Sequence, residues 1–195
     1  MSSKADRPAR ADAQRNLGVL LRAAKAVFAT SGVDAPVREI AERAGVGIAT
    51  VYRHFPQRSD LIAAVFRHEI DACAQAAVEL AAQYSAGDAL AKWLQRYAAF
   101  IGTKRGLAPA LHSGDPAFGP LRPYFETRVR PALQTLLAAA SAAGDVRDDI
   151  EADELLHAVA SLCMPAQDDG RAQRMVGLLI DGLKVRPSKH ERKHR

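Results

Sequence analysis

Ile48, Ala49, Thr50, Tyr52, Arg53 and His54 offer, within one short stretch, a guanidinium, a phenol, an imidazole, a hydroxyl and a small apolar surface. No paired catalytic carboxylate is among them. Arg53 can bond guanine N7 and O6 bidentately or hold a phosphate, and spacing alone leaves both open. Ile48, Ala49 and the Thr50 methyl suit the C5-methyl of thymine. The chemistry on offer is recognition of duplex DNA.

Such groups need an element to present them. Val37, Ile40, Ala41 and Ala44 share one face at helical spacing, which predicts a helix over Val37–Ala44. Gly45-Val46-Gly47 reads as a tight turn, and a second helix follows over Ile48–His54, with Val51 and Phe55 inward. A helix that short buries too little to stand alone. Its outer face must go into something, and the DNA major groove admits one α-helix. Two short helices on a glycine turn are the helix-turn-helix arrangement.

The rest of the chain reads as helices. Residues 1–13 carry Lys4, Arg7 and Arg10 without a pattern and are expected to be a flexible basic arm. A first helix is expected over Gln14–Thr30, striped by Leu17, Leu20, Leu21, Ala24, Val27 and Phe28, with Gly32 as its stop and Pro36 opening the next helix. After Phe55, a long helix starts near Pro56–Asp60 and runs to Gly87, striped by Ile62, Phe66, Ile70, Cys73, Ala77, Leu80 and Tyr84. Asp88–Thr103 forms another, with Leu90, Trp93, Leu94, Tyr97, Phe100 and Ile101 inward. Residues 104–123 are interrupted by glycines and prolines and read as loop around a short helix at Leu107–His112. Helices are then expected over Tyr124–Ala143, kinked or bounded at Pro131, over Ala152–Met164 and over Arg171–Val185. The last is apolar on more than one face, so a second subunit is an economical cover.

The chain is thus expected to be all-α, with about nine helices. The arm ends at residue 13, a three-helix DNA-binding domain spans 14–60, a ligand-binding and dimerisation domain spans 61–185, and 186–195 form a basic disordered tail. Composition agrees. Hydrophobic residues make up 48% of the 195, enough for a folded core, and β-branched runs are scarce. Net charge is +5, divided as +4 over 1–60, −4 over 61–183 and +5 over 184–195. A basic N-terminal unit on a mildly acidic body suits a nucleic-acid partner.

Cys73 and Cys163 form no CxxC and read as two packed thiols in a reduced compartment. No apolar run approaches the roughly 18 residues of a membrane span, and no signal-peptide core follows Met1. A cytoplasmic protein is expected. His68, His112 and His157 are too scattered for a metal site, and no P-loop, GxSxG or HExxH occurs, so neither metal, cofactor nor enzymatic activity is expected.

The run from Ala24 through Phe28, Gly32 and Val37-Arg-Glu-Ile-Ala-Glu-Arg-Ala-Gly-Val46 to Thr50-Val-Tyr-Arg-His-Phe55, Arg58 and Leu61 resembles the TetR family of bacterial transcriptional regulators. The resemblance covers about residues 14–66. It implies a homodimer on a pseudo-palindromic operator, pairing through the last two helices (about 152–164 and 171–185), with a small-molecule pocket in the C-terminal domain. It further implies DNA contacts by Thr50, Tyr52 and His54, the latter two chiefly to phosphates, and backbone contacts by Arg58 and Arg38. Gly47 stands where the family usually has Ser or Thr at the cap of the recognition helix, Ile48 and Ala49 are apolar where a polar reader is common, and Ala35 gives the preceding helix no cap.

For the pocket, Trp93, Tyr97, Phe100, Phe118, Tyr124 and Met164 are apolar candidates, and His112 and Arg128 polar ones, beside Asp115 and Arg122. The reading is a ligand-released repressor. An activator, a ligand-independent regulator, and a small helical enzyme with a coincidental helix-turn-helix are the alternatives.

Overall fold

The computed structural model describes residues 6–164 and 169–185. Among them are eight α-helices, α1 (Asp6–Ser31), α2 (Val37–Ala44), α3 (Ile48–His54), α4 (Arg58–Gln83), α5 (Ala86–Leu111), α6 (Leu121–Ala142), α7 (Ala152–Cys163) and α8 (Asp169–Leu183), with a 3-10 turn at Pro116–Phe118. The described residues contain no strand, and the one β-bridge pairs Val146 with Lys184. None of the described helices is long and apolar enough to cross a membrane.

The described residues fall into two compact units, with the chain passing between them at 69/70, 102/103 and 124/125. The first is larger than expected, since it takes in the opening turns of α4 and the 103–124 segment. Leu61, Ile62, Val65 and Phe66 of those turns are all buried. Burying four large apolar side chains contributes several kcal/mol, about 1.5–3 each, and makes this stretch of α4 part of the N-terminal core.

Several helix boundaries differ from expectation. The backbone of α1 is helical from Asp6 rather than Gln14. Residues 6–13 lack an apolar stripe but are rich in Ala and Arg, whose intrinsic helix propensity is high. Helix α5 runs unbroken through Gly106 to Leu111, with Pro109 in its last turn. Leu107 is buried there and anchors the added turns. Helix α6 starts at Leu121 rather than Tyr124, and it runs through Pro131, which is a boundary in neither direction. The turn expected over 165–170 and the tail after Val185 lie largely or wholly outside the described residues.

In the C-terminal unit, Trp93, Tyr97, Phe100 and Phe125 form a ladder of rings. Centroids are 5.6 Å apart for Trp93–Tyr97, 6.0 Å for Tyr97–Phe100 and 5.8 Å for Phe100–Phe125, with interplanar angles of 8°, 19° and 14°. Offset stacking of this kind adds about 0.5–1.5 kcal/mol per pair beyond burial. The polar atoms in the ladder have partners. The Trp93 indole N–H donates to the Cys73 carbonyl at 2.9 Å, and the Tyr97 hydroxyl faces the Leu156 carbonyl at 3.5 Å.

The loop between α6 and α7 fastens this unit at one end. The Gly87 amide at the start of α5 donates to Oδ2 of Asp145 at 2.9 Å. The backbone beside Asp145 pairs with the end of α8, through Arg147 N–H to Leu183 O at 2.9 Å and Val185 N–H to Asp145 O at 3.3 Å.

Candidate nucleic-acid interface

The helix-turn-helix is built from the residues that sequence singled out. Helix α2 ends at Gly45, whose φ of 68° and ψ of 30° put it in the left-handed region. The Gly45 amide donates to Glu42 O at 3.2 Å and the Val46 amide to Ala41 O at 3.0 Å, closing the orphan carbonyls of α2 as glycine-ended helices do. Pro36 is the cap of α2 rather than its first helical residue, and Ala35, expected only as a missing cap, is a buried core residue.

Helix α3 has seven residues, and Val51 alone among them is buried. Ile48 and Tyr52 stand 45% and 51% exposed, a large apolar surface for so short a helix. Ala49, Arg53 and His54 are exposed and Thr50 is half-buried. Arg53 Nε donates to the Ala49 carbonyl at 3.3 Å, which lays the guanidinium along the helix. The His54 ring lies 6.1 Å from that of Phe55. Gly47 caps α3 with an ordinary extended backbone and no side-chain bond. Arg38 points outward from α2, paired with Glu42 at 3.2 Å. Both partners are strongly exposed, so the pair adds little stability.

Arg58 is differently placed. Its Nη1 donates to the carbonyls of Val33 at 2.6 Å and Ala35 at 2.8 Å, in the loop before α2. Residue type alone showed a cation at the start of a helix. Its backbone partners leave no mark in a sequence.

The family model described as bacterial regulatory proteins, tetR family, matches residues 20–65, and that described as the transcriptional regulator SbtR-like C-terminal domain matches 85–185. The chain belongs to the TetR family of transcriptional regulators. A TetR transcriptional regulator, SCO0520 from Streptomyces coelicolor, is similar in structure, with a TM-score of 0.78, 33% identity and coverage of 87% of this chain and 99% of that one. A TetR regulatory protein from Mycobacterium vanbaalenii gives 0.74, 34%, 91% and 100%. A gamma-butyrolactone receptor described as ArpA-like gives 0.59, 25%, 89% and 90%. No curated protein matches the chain.

As a TetR-family regulator, the chain carries DNA-binding machinery in its N-terminal unit. The residues expected to meet a ligand fall in both units. Trp93, Tyr97 and Phe100 are consumed in the ring ladder, together with Phe125, which periodicity did not single out. Arg128 lies 3.7 Å from Asp71 across two exposed surfaces, and Met164 is 41% exposed at the end of α7. His112, Phe118 and Tyr124 belong to the N-terminal unit, where His112 is exposed and the two rings are half-buried. A cavity of about 370 Å³ opens in the C-terminal unit beside Leu90, Leu94, Asp145, Ile180 and Leu183, and none of the eight candidates lines it.

Proposed function

We propose that this TetR-family regulator is a dimeric repressor held on a pseudo-palindromic operator and released by a small molecule. The observation that carries the reading is the outer face of α3, which leaves Ile48 and Tyr52 open to solvent beside Arg53 and His54. In this reading Ile48, Ala49, Thr50 and Arg53 meet base edges, while Tyr52, His54 and Arg38 meet phosphates. Gly47 brings the helix start close to the backbone. The work is done in the cytoplasm.

Two features support the paired state and the effector. On α8, Val176, Ile180 and Leu183 turn inward, while Met175 and Leu178 are exposed, Leu178 by 68%. Exposed apolar residues on a terminal helix already packed on α7 suit a second copy of the chain. Likeness to a gamma-butyrolactone receptor favours a small organic effector over an ion or a protein. An effector acts here only by its differential preference for the DNA-bound and the released form of the dimer.

Selection from random duplexes tests the reading, followed by sedimentation of the selected complex. The expected result is an inverted repeat carrying two chains, with affinity falling steeply with salt. A monomer with no preference among duplexes would refute it.

A further inference from the structure

The first turns of α4 are tied to the N-terminal unit at both ends. At one end the Arg58 guanidinium bridges the carbonyls of Val33 and Ala35. At the other, Lys25 of α1 pairs with Glu69. Ala35 is buried, and Pro36 after it caps α2. The Arg58 side chain is therefore half-buried between the start of α4 and the residues that set where α2 begins. Two short bonds from one nitrogen to two carbonyls are charge-assisted, and such bonds are stronger than those between neutral groups.

We propose that Arg58 is a positioning residue of the DNA-binding unit. It holds the α1–α2 loop, and with it the α2–α3 pair, against the first turn of α4, and it does not serve as a phosphate contact. The proposal rests on the function given above. Both bonds come from Nη1, which stands one bond farther from the backbone than a lysine Nζ, so a lysine ammonium falls short of carbonyls held at 2.6 and 2.8 Å. A phosphate contact has no such demand, because either cation serves it.

The test uses the full chain with Arg58→Ala and Arg58→Lys. Hydrogen exchange is read without DNA, and affinity for the selected duplex is read against salt. The expected result is faster exchange, by about tenfold or more, confined to residues 33–54 and absent from 129–140 of α6. Affinity falls at least about tenfold in both variants, while the slope against log salt stays that of the parent chain. Unchanged exchange, a slope shallower by about one ion in Arg58→Ala and full rescue by lysine would overturn the proposal in favour of a phosphate contact. Should Arg58→Ala not fold, Arg58→Lys alone decides, since rescue overturns and loss supports. Exchange is independent of DNA, so a parent chain that selects no duplex refutes the function and leaves the Arg58 result readable.

Discussion

Gly45 and Gly47 lie on either side of Val46, yet only the first stands where glycine is required. Gly45 has φ of +68°, and Gly47 has φ of −69° and ψ of 143°, which any residue adopts. A β-carbon on Gly45 meets no atom within 4 Å, so its substitution is resisted by the backbone alone. Gly45→Ala is expected to cost about 1–2 kcal/mol. Gly47→Ser is expected to stabilise by a few tenths of a kcal/mol, because a hydroxyl there can accept from the first turn of α3. Urea titration of both variants checks the pair, and equal losses at the two sites would contradict it.

Gly87 needs to be small for a different reason. A β-carbon built there would lie 2.8 Å from Cβ of Asp145. Gly87→Ala is expected to cost about 1–3 kcal/mol through overpacking and displacement of the carboxylate that receives its amide. Asp145→Ala removes that cap at about 0.5–2 kcal/mol. In the double variant the costs are less than additive, since Cγ and Oδ2 of Asp145 contribute both crowding and cap, although the Cβ contact remains. Strict additivity in denaturation would show that the contact is not what constrains Gly87.

Arg53 and Tyr52 sit side by side on α3 with different expected roles. Arg53→Ala should relax operator preference at one base pair by about 1–3 kcal/mol. Tyr52→Phe should weaken binding to every duplex alike, because a phosphate contact carries no sequence information. Competition among single-base operator variants separates the two. A uniform loss for Arg53→Ala would make it a phosphate contact as well.

Tyr97 gives the fold an alkaline limit. Burial raises its pKa from tyrosine's usual 10.0, and the neighbouring Cys73 and Cys163 thiols raise it further. The folded chain therefore keeps a proton that the unfolded chain releases. The stability linked to this phenol is whole below about pH 10 and is lost as pH rises above it towards the folded value. Fluorescence of Trp93, the single tryptophan, reports unfolding of this unit. The urea midpoint should hold from about pH 7 to 9 and fall above about pH 10, and Tyr97→Phe should flatten that fall. An unchanged alkaline slope in Tyr97→Phe would assign it elsewhere.

The helix-turn-helix was legible because punctuation and periodicity agree there. Pro36, Gly45 and Gly47 bracket stripes so short that no other boundaries fit, and α2 and α3 begin and end at the expected residues. The same logic failed at 104–111, where Gly106 and Pro109 look like breakers, yet Leu107 is buried and the helix continues. Aromatic type alone was less informative. Trp93, Tyr97 and Phe100 read as pocket candidates, and residue type does not tell that their rings stack on one another in the core. Arg58 shows the same limit, because the carbonyls it bonds belong to Val33 and Ala35, whose side chains say nothing of them.

The most direct test of the central claim places a cleaving group on α3. Ala49 is exposed, and both native cysteines are buried, so Ala49→Cys offers a single reactive thiol for an iron chelate. Bound to its selected duplex, the tethered protein should cut at two positions related by a dyad, in major grooves about 34–36 Å apart or at a multiple of that spacing. Cleavage spread evenly along the duplex, or at one asymmetric position, would contradict the claim that α3 enters DNA in pairs.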